Sequence, residues 1–139
     1  MERPPHDQAN LPEIIVGNSE HARLTSLATA ALDRLPQAAD ELLSELERAT
    51  IVADEAVPDD VVRMGSTVEF RTEEGQKRVM LVFPPEADIA AGKISVLTPI
   101  GAALIGLSKG ESMTWNARDG HSHELTVLAV EPPAHTVGG

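Results

Sequence analysis

The apolar residues of this chain keep two different periods, and the change falls at a short acidic stretch. Before it, Leu24, Leu27, Ala28, Ala31, Leu32 and Leu35 recur at helical spacing and mark one face of a helix. Pro36 interrupts that face, and Ala39, Leu42, Leu43, Leu46 and Ala49 resume it among Asp40, Glu41, Glu45 and Glu47. Two amphipathic segments with so short a break predict an antiparallel helical hairpin, a small coiled coil, within residues 13–52. Each helix would hold about 15 residues and run roughly 22 Å at 1.5 Å per residue. Asn18-Ser19 offers an N-cap, with Glu20 in the first turn where the helix dipole favours an acid. The preceding Glu13-Ile14-Ile15-Val16 reads as a small strand or a docking anchor.

Residues 53–60, acidic and containing Pro58, read as a linker. Beyond them the period falls to two. Val68 and Phe70 alternate with Glu69 and Arg71, and Glu73 to Gly75 marks a hairpin turn. Arg78 to Phe83 is a nearly continuous apolar strand closed by Pro84-Pro85. Lys93 to Leu97 gives a third strand, Ser112 to Ala117 a fourth, Arg118-Asp119-Gly120 a turn, and His123 to Glu131 a fifth, closed by Pro132-Pro133. The expected class is α+β: the hairpin, then a mostly antiparallel sheet domain over 61–133 packed on one short helix. Residues 1–12, polar with three prolines, read as a disordered lead-in, and 134–139 as a loose tail.

Composition removes several function classes. Eleven Lys+Arg stand against 22 Asp+Glu, a net charge of −11. That disfavours the nucleic-acid backbone as a direct partner, because such affinity comes from neutralising phosphates with Lys and Arg. Residues 1–57 hold 11 acids and 4 bases, so the N-terminal half carries most of the imbalance and suits a basic protein surface. Aromatics make up 2% of the chain (Phe70, Phe83 and Trp115), too few to line a stacking pocket. There is no cysteine, hence no disulfide or thiolate chemistry. No apolar run is long enough for a membrane span, and Met1 to Glu13 lacks the basic and apolar regions of a secretory signal. The expected location is the cytoplasm. Oligomeric state is open, since the apolar helix faces can pair within the chain or between chains.

One element is sharply drawn yet holds no chemical group. The run Ile94-Ser95-Val96-Leu97 stops at Thr98-Pro99, and small and apolar residues follow from Ile100 to Leu107. Pro99 cannot donate to a sheet ladder but suits the first turn of a helix, with Thr98 as its cap. Gly101, Ala102 and Ala103 allow that helix to lie close to the sheet, Leu104, Ile105 and Leu107 plug the core, and Gly106 and Gly110 release the chain. A rigid tip of Thr98, Pro99 and an exposed Ile100 is expected to dock on a partner.

The stretch from Ala87 to Trp115, followed by Gly120 to Glu131, resembles the C-terminal domain of the Gre transcript-cleavage factors, whose motif runs Ile-Ser-x-x-Ser-Pro-[Ile/Leu]-x-x-Ala-Leu-[Ile/Leu]-Gly. Pro58 to Arg71, Leu81 to Asp88 and Ile94 to Leu107, preceded by a short helical hairpin, are similar to the Rnk family, the regulators of nucleoside diphosphate kinase. The resemblance covers Pro58 to Glu131 and is looser from Ile14 to Thr50. It implies an FKBP-like C-terminal domain that binds RNA polymerase at the rim of the secondary channel. The polymerase-contacting tip of the family falls on Thr98, Pro99 and Ile100, with Leu97 where some Gre factors carry an acid. It implies no cofactor. Gre factors reach the polymerase active site with a long coiled coil whose acidic end helps hold a metal. The hairpin here is too short for that, so no transcript cleavage is expected. Its tip residues Asp33, Asp40 and Glu41 are either solvated helix-end charges or contacts to a basic polymerase surface.

Other signals are weaker. His121 and His123 lie two apart on one strand face, a spacing that can hold a metal, but no third ligand is legible and a solvated turn is the simpler reading. Trp115 reads as core or half-buried cover. Gly101, Gly106 and Gly110 lack the basic, hydroxyl-ended motif of a phosphate loop, and no Ser–His–Asp set can be assigned from spacing. Three functions remain: a polymerase-binding regulator, a Gre-like elongation and cleavage factor, and an FKBP-like prolyl isomerase, the last disfavoured by the scarcity of aromatics.

Overall fold

The computed structural model describes residues 12–116 and 122–133. The chain enters through strand β1 (Ile15–Gly17) and passes directly into helix α1 (Asn18–Ala31). No side chain of α1's own start caps it. Asp54, far along the chain, takes that role by accepting the Ser19 N–H at 2.8 Å. The expected Asn18-Ser19 cap is therefore replaced by a carboxylate from the acidic stretch, drawn below its usual pKa by the Ser19 hydrogen bonds.

Helix α1 ends before Pro36, as the steric clash ahead of a proline demands. Pro36 then takes the first position of helix α2 (Pro36–Arg48), where its missing N–H costs nothing. Leu24, Ala28 and Ala31 of α1 are buried, as are Ala38, Ala39, Leu42 and Leu46 of α2. Leu32 and Leu35, predicted on the same face, stay 38% and 43% exposed in the turn between the helices.

Strand β2 (Thr50–Val52) follows α2 and pairs in parallel with β1. The helical pair is thus a crossover between two parallel strands, as parallel pairing requires. β2 was not expected, and residues 53–60 contain a 3-10 turn at Asp54–Ala56 and a buried Val57.

The main sheet has five strands: β3 (Thr67–Thr72), β4 (Gly75–Val82), β5 (Lys93–Ser95), β6 (Ser112–Asn116) and β7 (Ser122–Glu131). Their order is β5-β4-β3-β7-β6, antiparallel throughout except for the parallel pair β4 and β5. The β3–β4 turn closes at Thr72 and Gly75, and Gly75 has a φ of 120° that only glycine adopts readily. β5 stops at Ser95, two residues short of expectation. Ser95 Oγ accepts the Leu97 N–H at 2.9 Å, which bends the chain inward. The third helix, α3 (Pro99–Leu104), lies between β5 and β6 in sequence. The predicted Arg118-Asp119-Gly120 turn falls outside the described residues.

One core joins the two periods of the sequence. Phe70, Leu81, Leu104 and Leu125 from the sheet side share it with Ile14, Leu24 and Leu42 from the helical side. The closest seam is at Gly106, whose carbonyl accepts the Ile15 N–H at 3.1 Å. Gly106 has a φ of 82°, and a Cβ there would sit 2.8 Å from the Ile14 Cβ.

Candidate functional site

The Thr98–Pro99 tip is built by three local constraints. Thr98 caps α3: its Oγ1 accepts the Gly101 N–H at 3.1 Å and donates to the Ser95 carbonyl at 2.7 Å. Pro99 occupies the first helical position. Gly101 lies so close to the strand that a Cβ would meet the Ser95 carbonyl oxygen at 2.2 Å. Cap, proline and glycine together fix six residues that are too short a helix to hold themselves.

The outward face of this element is narrower than the sequence suggested. Leu97 is 5% exposed and belongs to the core. Thr98, Pro99 and Ile100 are half-buried, and Ile100 packs against the core instead of standing free. The reason is the length of α3: Gly101, Ala102, Ala103 and Leu104 are all buried, so Ile100 at its start is drawn down with them.

A cleft of about 180 Å³ opens beside Pro99, between α3 and α2. Pro99, Ala102 and Ala103 give it an apolar side, continued by Met113 of β6. Asp40, Glu41 and Glu45 of α2 give it an acidic side. The acids grouped as a hairpin tip are therefore separated. Because α2 opens at Pro36 and has no acid in its first turn, Asp40 and Glu41 stand further along the helix, beside α3. Asp33 remains in the exposed turn between the helices.

Sequence reasoning did not foresee that the two candidate regions would meet. Nothing in local spacing signals it, because the juxtaposition comes from the packing of α2 on α3.

Glu45 is already partnered. Arg48 Nη2 lies 2.7 Å from Glu45 Oε1 and donates across to Met113 Sδ at 3.7 Å, and Arg48 Nη1 donates to the Pro12 carbonyl at 2.5 Å. Burial pushes the Glu45 carboxyl up, with Arg48 opposing that shift. A second cleft of about 210 Å³, at the start of α1, is lined by Glu20, Arg23, Asp54 and Arg63. Its two carboxylates hold the fold: Asp54 accepts the Ser19 N–H, and Glu20 accepts the Met64 N–H at 3.3 Å, with burial raising the Glu20 pKa.

His123 Nδ1 contacts the Glu73 carboxylate, while His121 falls outside the described residues. Among the described residues no three His, Cys, Asp or Glu side chains gather to hold a metal. No helix among them is long and apolar enough to cross a membrane. The Trp115 side chain also lies outside what is described.

Comparison with known proteins matches both parts of the chain. The family model "Transcription elongation factor, GreA/GreB, C-term" covers residues 57–132, and the model "Rnk N-terminus" covers residues 12–52. The "Regulator of nucleoside diphosphate kinase" of Escherichia coli K12 is 38% identical over 130 residues, spanning 91% of this chain and 95% of that protein. The "Transcription elongation factor GreA" of Rhodospirillum rubrum is 36% identical over 91 residues, 63% of this chain and 58% of that protein. Among solved structures, a prokaryotic transcription elongation factor GreA/GreB from Nitrosomonas europaea superposes with a TM-score of 0.68 at 33% identity, covering 86% of this chain and 99% of that one. By its two matched regions and its match along most of the Escherichia coli protein, this chain belongs to the Rnk family of regulators, with a C-terminal region of the GreA/GreB type.

Proposed function

We propose that this protein regulates transcription in the cytoplasm by docking on RNA polymerase near the secondary channel, through Thr98, Pro99 and Ile100, in competition with Gre factors. The observation that carries this reading is the tip itself. A cap, a proline and a glycine without room for a Cβ converge to hold a surface that contains no catalytic group. Such rigidity lowers the entropic cost of binding. The tip lies within the GreA/GreB-type region, so the docking role that the resemblance implies falls on these residues. In this reading the sheet and α3 act as an FKBP-like binding module without isomerase activity.

The helical pair, read as an antiparallel hairpin, does not act as a cleavage probe. Its helices of 14 and 13 residues are roughly 20 Å long. Asp40 and Glu41 sit beside Pro99 and do not lead the molecule into a channel. An effect on nucleoside diphosphate kinase then arises indirectly, through transcription.

Biolayer interferometry with immobilised core RNA polymerase tests the reading. Binding of the wild-type chain, displaced by a Gre factor, is the expected result. Binding that a saturating Gre factor leaves untouched would move the contact to another part of the polymerase. No binding would remove the function.

A further inference from the structure

The cleft between α2 and α3 has a shape and charge that the docking tip alone does not use. At about 180 Å³ it is smaller than the roughly 300–1,000 Å³ of small-molecule sites, and it suits a single long side chain. Its apolar side is the half-buried ring of Pro99, backed by the buried Ala102, Ala103 and Met113. The other carries the exposed carboxylate of Asp40. A planar guanidinium matches both, since it lies against apolar surface and still donates a fork of hydrogen bonds to carboxylate. A lysine ammonium, strongly hydrated and without a flat face, matches the acids only.

The α2 wall already holds one guanidinium by a carboxylate. Next to the cleft, Arg48 sets its guanidinium against Glu45 at 2.7 Å and reaches the sulfur of Met113 at 3.7 Å. Glu45 and Met113 both line the cleft. Asp40, further along the same wall, is exposed, and no Lys or Arg among the described residues pairs with it. Asp40, Glu41 and Glu45 make the α2 side of the cleft acidic.

We propose that the α2–α3 cleft seats one arginine side chain of the docked partner, so that the docking surface is shared between the helical pair and the sheet. The inference rests on the docking reading above and names the partner group that must lie next to the one meeting Pro99. It gives the short helical pair a role at the polymerase that needs no reach: α2 supplies the acidic wall of the seat.

Four variants of the full chain test it against core polymerase, each checked for folding by circular dichroism. Pro99→Asp reports on the tip, Asp40→Lys and Asp40→Asn on the seat. Asp33→Lys makes the same charge change in the exposed turn, away from the cleft. The expected result is that Asp40→Lys weakens binding about tenfold or more and Asp33→Lys less than about threefold, with Asp40→Asn flattening the salt dependence. Loss of binding in Pro99→Asp together with wild-type affinity in Asp40→Lys would keep the tip and discard the seat. Equal losses in Asp40→Lys and Asp33→Lys would also discard it, by reducing the effect to overall acidity. A wild-type chain that does not bind polymerase would overturn the docking reading and this inference together.

Discussion

At the scale of single residues, the strongest constraints lie around Ser95. Thr98 and Gly101 both approach its carbonyl, one by donating a hydrogen bond at 2.7 Å, the other by leaving no space for a Cβ. Gly101→Ala would force a carbon to 2.2 Å from that oxygen, so α3 must shift. We expect a loss of about 1–3 kcal/mol in urea unfolding, the range for overpacking, and a parallel loss of polymerase binding. Thr98→Ala should cost about 1 kcal/mol through the lost cap, which Thr98→Ser restores. This part of the site was legible because a proline after a hydroxyl, followed by a small residue, has a local mechanism. Leu97 was not. A strand pattern continues through it, and the bend that buries it depends on the Ser95 hydroxyl accepting the Leu97 N–H. Asp54 was hidden for a different reason: its partner, Ser19, is 35 residues away.

At the scale of elements, periodicity identified both helices and the strands of the main sheet, since each buries one face. It missed β2. Three residues, Thr50 to Val52, carry no repeat, and their parallel pairing with β1 is settled only when α1 and α2 fold back. The helical pair also depends on the sheet. Ile14 and Val16 are buried in the common core, and Glu20 holds the Met64 amide. A fragment of residues 12–57 should therefore show little helix by circular dichroism, as expected for helices of 14 and 13 residues without their packing surface. Strong helicity in that fragment would contradict the dependence.

Glu20 gives the same seam a pH signature. Burial is the largest cause of its shift and raises its folded-state pKa, so the folded state holds the proton more tightly than the unfolded state. The stability tied to this group is present below its unfolded value and is lost as pH rises through the folded one. Glu20→Gln should thus raise Tm at neutral pH. The gain should shrink at acid pH, where Glu20 itself is protonated. A gain that is the same at both pH values would mean that desolvation of this carboxylate is not the cause.

At the scale of the whole molecule, the two periods of the sequence resolve into one core, with α2 laid against α3. That arrangement decides how the acids of α2 are read: Asp40, Glu41 and Glu45 face Pro99 and form one wall of a cleft. Spacing alone could place them on a helix but not against Pro99. Added to stalled elongation complexes, the protein should leave the length of the nascent transcript unchanged, because the proposed reading gives its helices, roughly 20 Å long, no cleavage role. The central claim is the docking itself, and a cryo-EM reconstruction of this chain on core RNA polymerase tests it most directly. The account predicts the sheet domain at the entrance of the secondary channel, with Thr98, Pro99 and Ile100 at the contact and α2 beside them. A chain bound through another face, with that tip in solvent, would contradict it.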